Sequence, residues 1–330
     1  MIYRLQPNRV RRAYYGGNHI DELRGHAPQV GRMPEEWIAS CAAAFNPDAP
    51  KENEGYSILT DGTLLKDRIA ADPQRMLGSN TATSMCFLLK LLDAAERLVI
   101  QVHPTREFAR KAFDSAFGKT ECWYALRDGG AVYIGFREGI SRAQWEDLFE
   151  KQDVAGMLNC LHRFPLKKGE LVFVPGGVPH AIDAGCFVVE LQEPTDLMVI
   201  PERVTPSGIQ LAEQKLHNGL GYERMFDCFV YDGLSAEETK RRLWVTPKKQ
   251  DDVLTVLLDE DTTEQFRMMQ LDVSTDYTLP MNGCYGAAVV LAGHGLLNGQ
   301  SVSAGDTLFV AADTELLQAQ GTFTLLLCTE

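Results

Sequence analysis

The chain has 330 residues, of which 45% are hydrophobic and 23% charged, and its formal net charge is -13. That length is enough for one large domain or two with a proper core, and the composition is that of a globular protein. The acidic balance argues against nucleic acid and anionic membrane surfaces as partners, and no apolar run approaches the roughly 18 residues of a membrane span.

Residues 1–7 lack the apolar segment of a signal peptide, so the cytoplasm is the expected compartment. The eight cysteines, at 41, 86, 122, 160, 186, 228, 284 and 328, are scattered singly with no C-x-x-C pair, which reads as reduced thiols.

In chain order, Gly16-Gly17, Pro34, Pro47-Asp48-Ala49-Pro50 and Asp61-Gly62 mark turns, and residues 1–80 read as irregular with Trp37 and Tyr56 as anchors. Phe87, Leu88, Leu91 and Leu92 recur at helical spacing, which predicts a helix over residues 85–95 with Lys90 on its polar edge. Residues 98–103 alternate as a strand, and Thr105 caps a helix from Arg106 to Phe113. Residues 121–126 and 131–136 read as strands around the turn Arg127-Asp128-Gly129-Gly130. Ser141 N-caps an amphipathic helix, a second helix covers residues 153–162, and the pair reads as an insertion packed on the sheet structure. Residues 171–174 and 187–191 are strands on either side of a turn at His180. A helix is expected over residues 209–220, closed by Gly219 and Gly221. Residues 247–250 are the best boundary, dividing the chain into 1–248 and 249–330. The second part is strand-like, with turns at Asn282-Gly283, Asn298-Gly299 and Gly305-Asp306.

An internal repeat supports the division. Lys168-Gly169-Glu170-Leu171-Val172-Phe173-Val174 resembles Ala304-Gly305-Asp306-Thr307-Leu308-Phe309-Val310, and the register continues without a gap to Gly185 and Gly321. In the second copy Pro175 becomes Ala311, Gly177 becomes Asp313 and His180 becomes Leu316. Two β-barrels of similar design are therefore expected, with a ligand-bearing histidine only in the first. The fold class is mostly β with helical insertions.

The chemistry gathers around that histidine. Gln101 and His103 lie two apart on an expected strand and so share a face. Glu121 opens a later strand, and His180 follows the turn Pro175-Gly176-Gly177-Val178-Pro179. Two imidazoles, a carboxylate and an amide oxygen suit a divalent first-row metal, most often zinc, with positions left open for substrate. Lys119, two before Glu121, and Glu190, ten after His180, are placed to face the same site. His19, His26, His162, His217 and His294 have no partner at ligand spacing, and the acid pairs Glu35/Glu36 and Asp251/Asp252 read as solvated faces.

Several segments together resemble the type I mannose-6-phosphate isomerases, in particular their short bacterial form. They are Ser84-Met85-Cys86-Phe87-Leu88-Leu89-Lys90, Gln101-Val102-His103-Pro104, Lys119-Thr120-Glu121-Cys122-Trp123 and Pro175-Gly176-Gly177-Val178-Pro179-His180-Ala181, with Tyr15-Gly16-Gly17 and Glu36-Trp37 upstream. The resemblance implies a cupin fold (jelly roll) and one zinc ion held by Gln101, His103, Glu121 and His180. It also implies interconversion of mannose 6-phosphate and fructose 6-phosphate through a cis-enediol, with Lys119 or Glu190 in proton transfer and a sugar phosphate as partner, in a monomer or homodimer. Val99 stands where the family usually has Ser, and Ile200 where it usually has Arg. Arg203 is the nearest cation and is expected to take the missing arginine's part. An isomerase of a different or unphosphorylated sugar, a non-catalytic metal- or sugar-binding cupin, and a metal-dependent oxygenase stay open as alternatives.

Overall fold

The computed structural model describes residues 1–29, 31–46 and 51–330, so the turn expected at residues 47–50 lies outside the described residues. The chain runs through β1 (Ile2–Arg4), β2 (Arg9–Val10), α1 (His19–Leu23), β3 (Glu35–Ile38), α2 (Leu65–Ala71), α3 (Pro73–Leu77) and β4 (Leu88–Asp93). It continues through α4 (Arg106–Phe113), β5 (Glu121–Ala125), β6 (Ala131–Phe136), α5 (Arg142–Lys151), α6 (Val154–Asn159), β7 (Leu161–Pro165), β8 (Leu171–Val174), β9 (His180–Ile182) and β10 (Phe187–Gln192). After α7 (Glu213–His217), α8 (Tyr222–Met225) and α9 (Ala236–Leu243) come β11 (Trp244–Val245), β12 (Lys248–Lys249), β13 (Leu254–Leu258) and β14 (Arg267–Val273). The last strands are β15 (Tyr277–Pro280), β16 (Gly286–Leu297), β17 (Gln300–Ser303), β18 (Thr307–Val310) and β19 (Leu316–Thr329).

Three sheets carry these strands. One is seven-stranded in the order β11-β8-β5-β10-β4-β3-β2, one three-stranded in the order β7-β6-β9, and one nine-stranded, built on β1-β18-β16-β19-β14-β13-β12 with β15 and β17 at its side. The sheets are open, not hydrogen-bonded into closed barrels, and the layered β arrangement is cupin-like. The seven-stranded sheet buries both faces. Leu89, Leu91, Cys122, Tyr124, Val189 and Leu191 pack towards Ala287, Phe309 and Leu326 of the nine-stranded sheet. Leu92, Trp123, Val172 and Val188 pack towards Val132, Ile134 and Ile182 of the three-stranded sheet.

This double burial explains the first misreading of the sequence. The expected helix over residues 85–95 is the strand β4, whose six residues are all buried. A strand covered on both faces has no apolar-polar alternation, and its leucines mimic a helical stripe. Lys90 is not on a polar edge but 2% exposed in the middle of that strand. Residues 1–80 are likewise not irregular: β3 is fully buried, with Glu35 at 4% and Glu36 at 1% exposure, so this acid pair is not a solvated face. Arg24 pairs with Glu36, and Arg12 with Glu35, which satisfies the charges. Asp251 and Asp252 are exposed as expected.

β5 and β6 do not form a hairpin. β5 pairs with β8 and β10, while β6 pairs with β7 and β9 on the other layer. The Arg127–Gly130 turn therefore crosses between sheets. The helix expected over residues 153–162 stops at Asn159, and His162 is in β7; the helix expected over residues 209–220 is only α7, ended by Asn218 at φ 50°. Both N-caps expected from the sequence form. Thr105 accepts a hydrogen bond from Phe108 N–H at the start of α4, and Ser141 does the same for Gln144 at α5. At residues 246–247 the chain passes from β11 in the seven-stranded sheet to β12 in the nine-stranded one. The repeat is also structural: Gly169 and Gly305 have φ of 83° and 87°, and β8 and β18 follow them. β9 begins at His180 and β19 at Leu316, the equivalent position.

Candidate metal centre

The site is assembled by backbone contacts among three segments. Residues 98–103 form an extended stretch held by isolated bridges instead of a full strand: Gln101 and His180 exchange both N–H···O=C bonds at 2.9 Å, and Val102 does so with Val199. Gly177 N–H donates to His103 C=O at 2.7 Å, and Lys119 N–H to Pro104 C=O at 3.0 Å. The close approach needs the glycines. A Cβ on Gly176 would lie 2.7 Å from Pro104 O and 2.7 Å from Thr105 N, and one on Gly118 would lie 2.5 Å from Pro104 O. Gly177 adopts φ 89°, a conformation that favours glycine.

These contacts bring His103, Glu121 and His180 together, with one donor atom from each within 4.8 Å of the others. All three are at most 1% exposed. His103 Nδ1 lies 3.0 Å from Leu197 O and His180 Nδ1 2.9 Å from Val178 O. A carbonyl only accepts, so both Nδ1 atoms carry the proton and both Nε2 lone pairs point into the site. His103 Nε2 is 3.2 Å from Glu121 Oε2, and His180 Nε2 is 3.4 Å from Glu121 Oε1. Trp123 stands edge-on to His180 with ring centroids 5.3 Å apart and closes the site from the sheet.

The residues fit a divalent cation. His180 Nε2 and Glu121 Oε1 are buried without a hydrogen bond, an arrangement costly in apolar surroundings unless a further partner binds there. Burial, together with the Lys119 cation, pulls His103 down to about 4, and burial lowers His180 as well. Burial alone would raise Glu121, yet Lys119 and His103 hold it well below the ordinary carboxylate range. Near neutral pH the group is thus two neutral imidazoles and one carboxylate, the forms that ligate. Gln101, bridged to His180 through its backbone, lines the adjoining cleft.

The centre adjoins a cleft walled by residues of the seven-stranded sheet and of the 196–215 segment. Lys119 and Glu190 both line it, as their spacing predicts. Lys119 Nζ is 2.8 Å from His103 Nε2 and 3.1 Å from Glu121 Oε2. Glu190 lies opposite Lys90 in the β10–β4 register and accepts from its ammonium at 2.9 Å. Further along, Glu35 accepts from Arg12 Nε at 3.0 Å, Tyr14 OH at 2.6 Å and Trp37 Nε1 at 2.7 Å. Arg12 also grips Asp196 through two bonds at 2.9 and 3.0 Å. The sequence reading missed Arg12, Glu35, Lys90 and Asp196 as cleft residues. The signal it held was a lysine inside an otherwise apolar run, which is rare unless the charge is paired.

Arg203 is not brought to the cleft. Its backbone N–H is tied to Gln152 Oε1 at 2.7 Å, and its guanidinium lies over Phe149 at 4.6 Å and 3.7 Å from Glu150. It packs on the helical layer instead of replacing the arginine expected at position 200. Ile200 and Val99 do line the cleft, in an apolar cluster with Met198 and Leu211.

Residues 12–124 match the model of the phosphomannose isomerase type I catalytic domain. A mannose-6-phosphate isomerase of Streptococcus mutans is 28% identical over 193 residues, 57% of each chain, and mannose-6-phosphate isomerase ManA of Bacillus subtilis is 33% identical over 192 residues, 55% of each. These matches span little more than half the length of those relatives. A putative mannose-6-phosphate isomerase of Bacillus subtilis, YvyI, is 26% identical over 94% of both chains. The fold is that of the crystal structure of Bacillus subtilis mannose 6-phosphate isomerase, with a TM-score of 0.78 at 20% identity over 99% of both chains. A mannose 6-phosphate isomerase bound with zinc and yttrium superimposes with a TM-score of 0.77 at 18% identity, covering 100% of this chain and 99% of that one. Over residues 12–124 the chain is similar to the phosphomannose isomerase type I catalytic domain, and its fold is the one seen in crystal structures of mannose 6-phosphate isomerases.

Proposed function

We propose that the protein is a metal-dependent aldose-ketose isomerase interconverting mannose 6-phosphate and fructose 6-phosphate. The observation that carries this reading is the buried His103, Glu121 and His180 group opening beside Gln101 and Lys119 onto a closed-in cleft. In this reading residues 1–248 hold the chemistry and residues 249–330, whose repeat has Leu316 in the histidine position, hold none.

His103, Glu121 and His180, with Gln101 as fourth ligand, would hold one zinc ion, which polarises the sugar's oxygens and offsets charge on the enediolate. The reaction moves one proton between adjacent carbons. The Glu190 carboxylate takes the proton from C2 while the carbonyl oxygen on C1 gains one, giving the cis-enediol. Return of the proton to C1, with loss of the proton from the C2 oxygen, gives the ketose. Lys119, next to the ligand set, is placed to exchange the oxygen protons. Lys90 orients the Glu190 carboxylate, and the Arg12, Glu35 and Asp196 network fixes the cleft wall behind it.

The test is turnover of mannose 6-phosphate by the zinc-loaded protein, followed as fructose 6-phosphate formed. Activity must disappear with chelator and in His180→Ala. An isomerase of an unphosphorylated aldose is the second reading, favoured by Ile200 and Val99 in the cleft. Turnover of free mannose without turnover of the phosphate would select it.

A further inference from the structure

We propose that Arg12 is a positioning residue of the metal centre: through Asp196 it fastens the segment whose Leu197 carbonyl orients His103. The proposal rests on reading His103, Glu121 and His180 as a metal site, and not on which sugar the cleft takes.

The two imidazoles are oriented in different ways. His180 Nδ1–H donates to Val178 C=O at 2.9 Å, so the turn that carries this ligand also supports it. His103 Nδ1–H donates to Leu197 C=O at 3.0 Å, across 94 positions of sequence. Leu197 lies beyond the end of β10, in a stretch without regular secondary structure. A carbonyl there sets the tautomer and tilt of His103 only if other contacts fix the stretch itself.

Those contacts converge on residues 193–199. Glu193, fully buried, accepts from Thr120 N–H at 2.9 Å, next to the ligand Glu121. Thr195 Oγ1 donates to Gly118 C=O at 2.6 Å, and Val199 exchanges two backbone bonds with Val102. Asp196, the neighbour of Leu197, is gripped by both terminal nitrogens of Arg12. Arg12 is itself fixed. It is 6% exposed, its Nε donates to Glu35, and its guanidinium lies over the Trp37 ring at 5.0 Å. Burial would raise the Asp196 carboxyl, but Arg12 holds it well below the ordinary carboxylate range. A buried bidentate pair of this kind is directional as well as strong, and a lysine cannot reproduce its fork. Arg12 therefore ties the β3 edge of the seven-stranded sheet to the residue beside the carbonyl that aims His103.

The experiment compares wild type, Arg12→Lys, Asp196→Asn and Glu35→Gln. Zinc affinity is read by competition with a chelating indicator, and the absorption spectrum with cobalt(II) in place of zinc reads the ligand geometry. Arg12→Lys keeps a cation but loses the fork. It is expected to raise Kd for zinc by about 10- to 100-fold, as loss of outer-shell support does, and to alter the cobalt spectrum. Asp196→Asn changes both in the same direction and decides the matter if Arg12→Lys does not fold. Glu35→Gln cuts the other arm of Arg12, which leads away from His103, and leaves zinc affinity as in wild type. Folded Arg12→Lys and Asp196→Asn proteins with wild-type zinc affinity and cobalt spectrum overturn the proposal. Equal weakening in all three variants also overturns it, because a general loosening of the cleft then accounts for the loss. The zinc titration needs no sugar. A wild type that binds zinc without turning over mannose 6-phosphate removes the isomerase reading, while the same titration still decides the role of Arg12.

Discussion

Lys119 Nζ lies 2.8 Å from His103 Nε2, the lone pair that the ligand set turns inward. One lone pair cannot serve an ammonium and a metal ion together. The lysine and the ion are therefore alternatives at His103, and metal binding must turn Lys119 out towards the cleft it already lines. Lys119→Ala removes a proton-transfer group without removing a ligand. Turnover should fall by about 100- to 10,000-fold, while bound zinc, measured by elemental analysis after dialysis, stays at one per chain. Loss of zinc together with activity would instead make Lys119 a structural support of the centre.

The Lys90–Glu190 pair makes a second, energetic prediction. The two residues are register partners on β4 and β10, at 2% and 3% exposure, and the ion pair is 2.9 Å. Burial would lower Lys90, but Glu190 and Glu35 raise it, so the ammonium persists. Lys90→Met strands a buried carboxylate and should destabilise the fold by about 3–5 kcal/mol. Adding Glu190→Gln removes the stranded charge, so the double variant should be more stable than the sum of the single losses, read from denaturant unfolding as a coupling energy. Simple additivity would mean that the pair is not interacting across the sheet.

Glu35 predicts how stability depends on acid. Burial would raise its pKa, but Arg12 and Lys90, with hydrogen bonds from Tyr14 and Trp37, bring it down to about 2 from the ordinary value of 4.5. A carboxyl with a depressed folded pKa binds its proton more readily when unfolded. Its contribution is complete above about 4.5 and is lost as pH falls towards about 2, amounting to ~3 kcal/mol. Metal-free wild type should lose unfolding free energy across that window. Glu35→Gln should begin less stable at neutral pH and show a flatter decline. Parallel curves for the two proteins would remove Glu35 from the account.

What the sequence revealed follows from how local each signal is. The caps at Thr105 and Ser141, the Asn-Gly turns, the glycine at each repeat and the spacing around His180 are written within a few residues of where they act. Lys119 and Glu190 were legible because strand alternation carries a face across short distances. Lys90, Glu35 and Arg203 were misjudged for the opposite reason. Lys90 finds its counterion 100 positions away in sequence, and Arg12 meets Asp196 across 184. Such pairings depend on strand order, which a single chain's periodicity does not encode. Arg203 was judged by its nearness in sequence to position 200, yet the bond from its backbone to Gln152 turns it to the other side.

Gly176 allows a test of the turn itself. Its equivalent in the second repeat is Ala312, so the strand-and-turn frame accepts a methyl group where no metal segment passes. In the first repeat, that methyl group would sit 2.7 Å from Pro104 O and 2.8 Å from Thr105 Cα, both backbone atoms that can yield only by moving the chain that carries His103. Gly176 has no positive φ, so alanine meets a steric barrier and not a conformational one. Gly176→Ala should therefore leave the fold intact but shift His103 away from Glu121 and His180. Loss of a well-placed ligand is expected to weaken zinc binding by roughly the 10- to 100-fold seen when outer-shell support is removed, measured by competition with a chelating indicator. The circular dichroism spectrum should stay native, because the displaced segment is held by isolated bridges and not by a sheet. Unchanged zinc affinity would show that the 103–105 segment can retreat without cost, and that glycine at this turn serves the chain's direction instead of the metal centre.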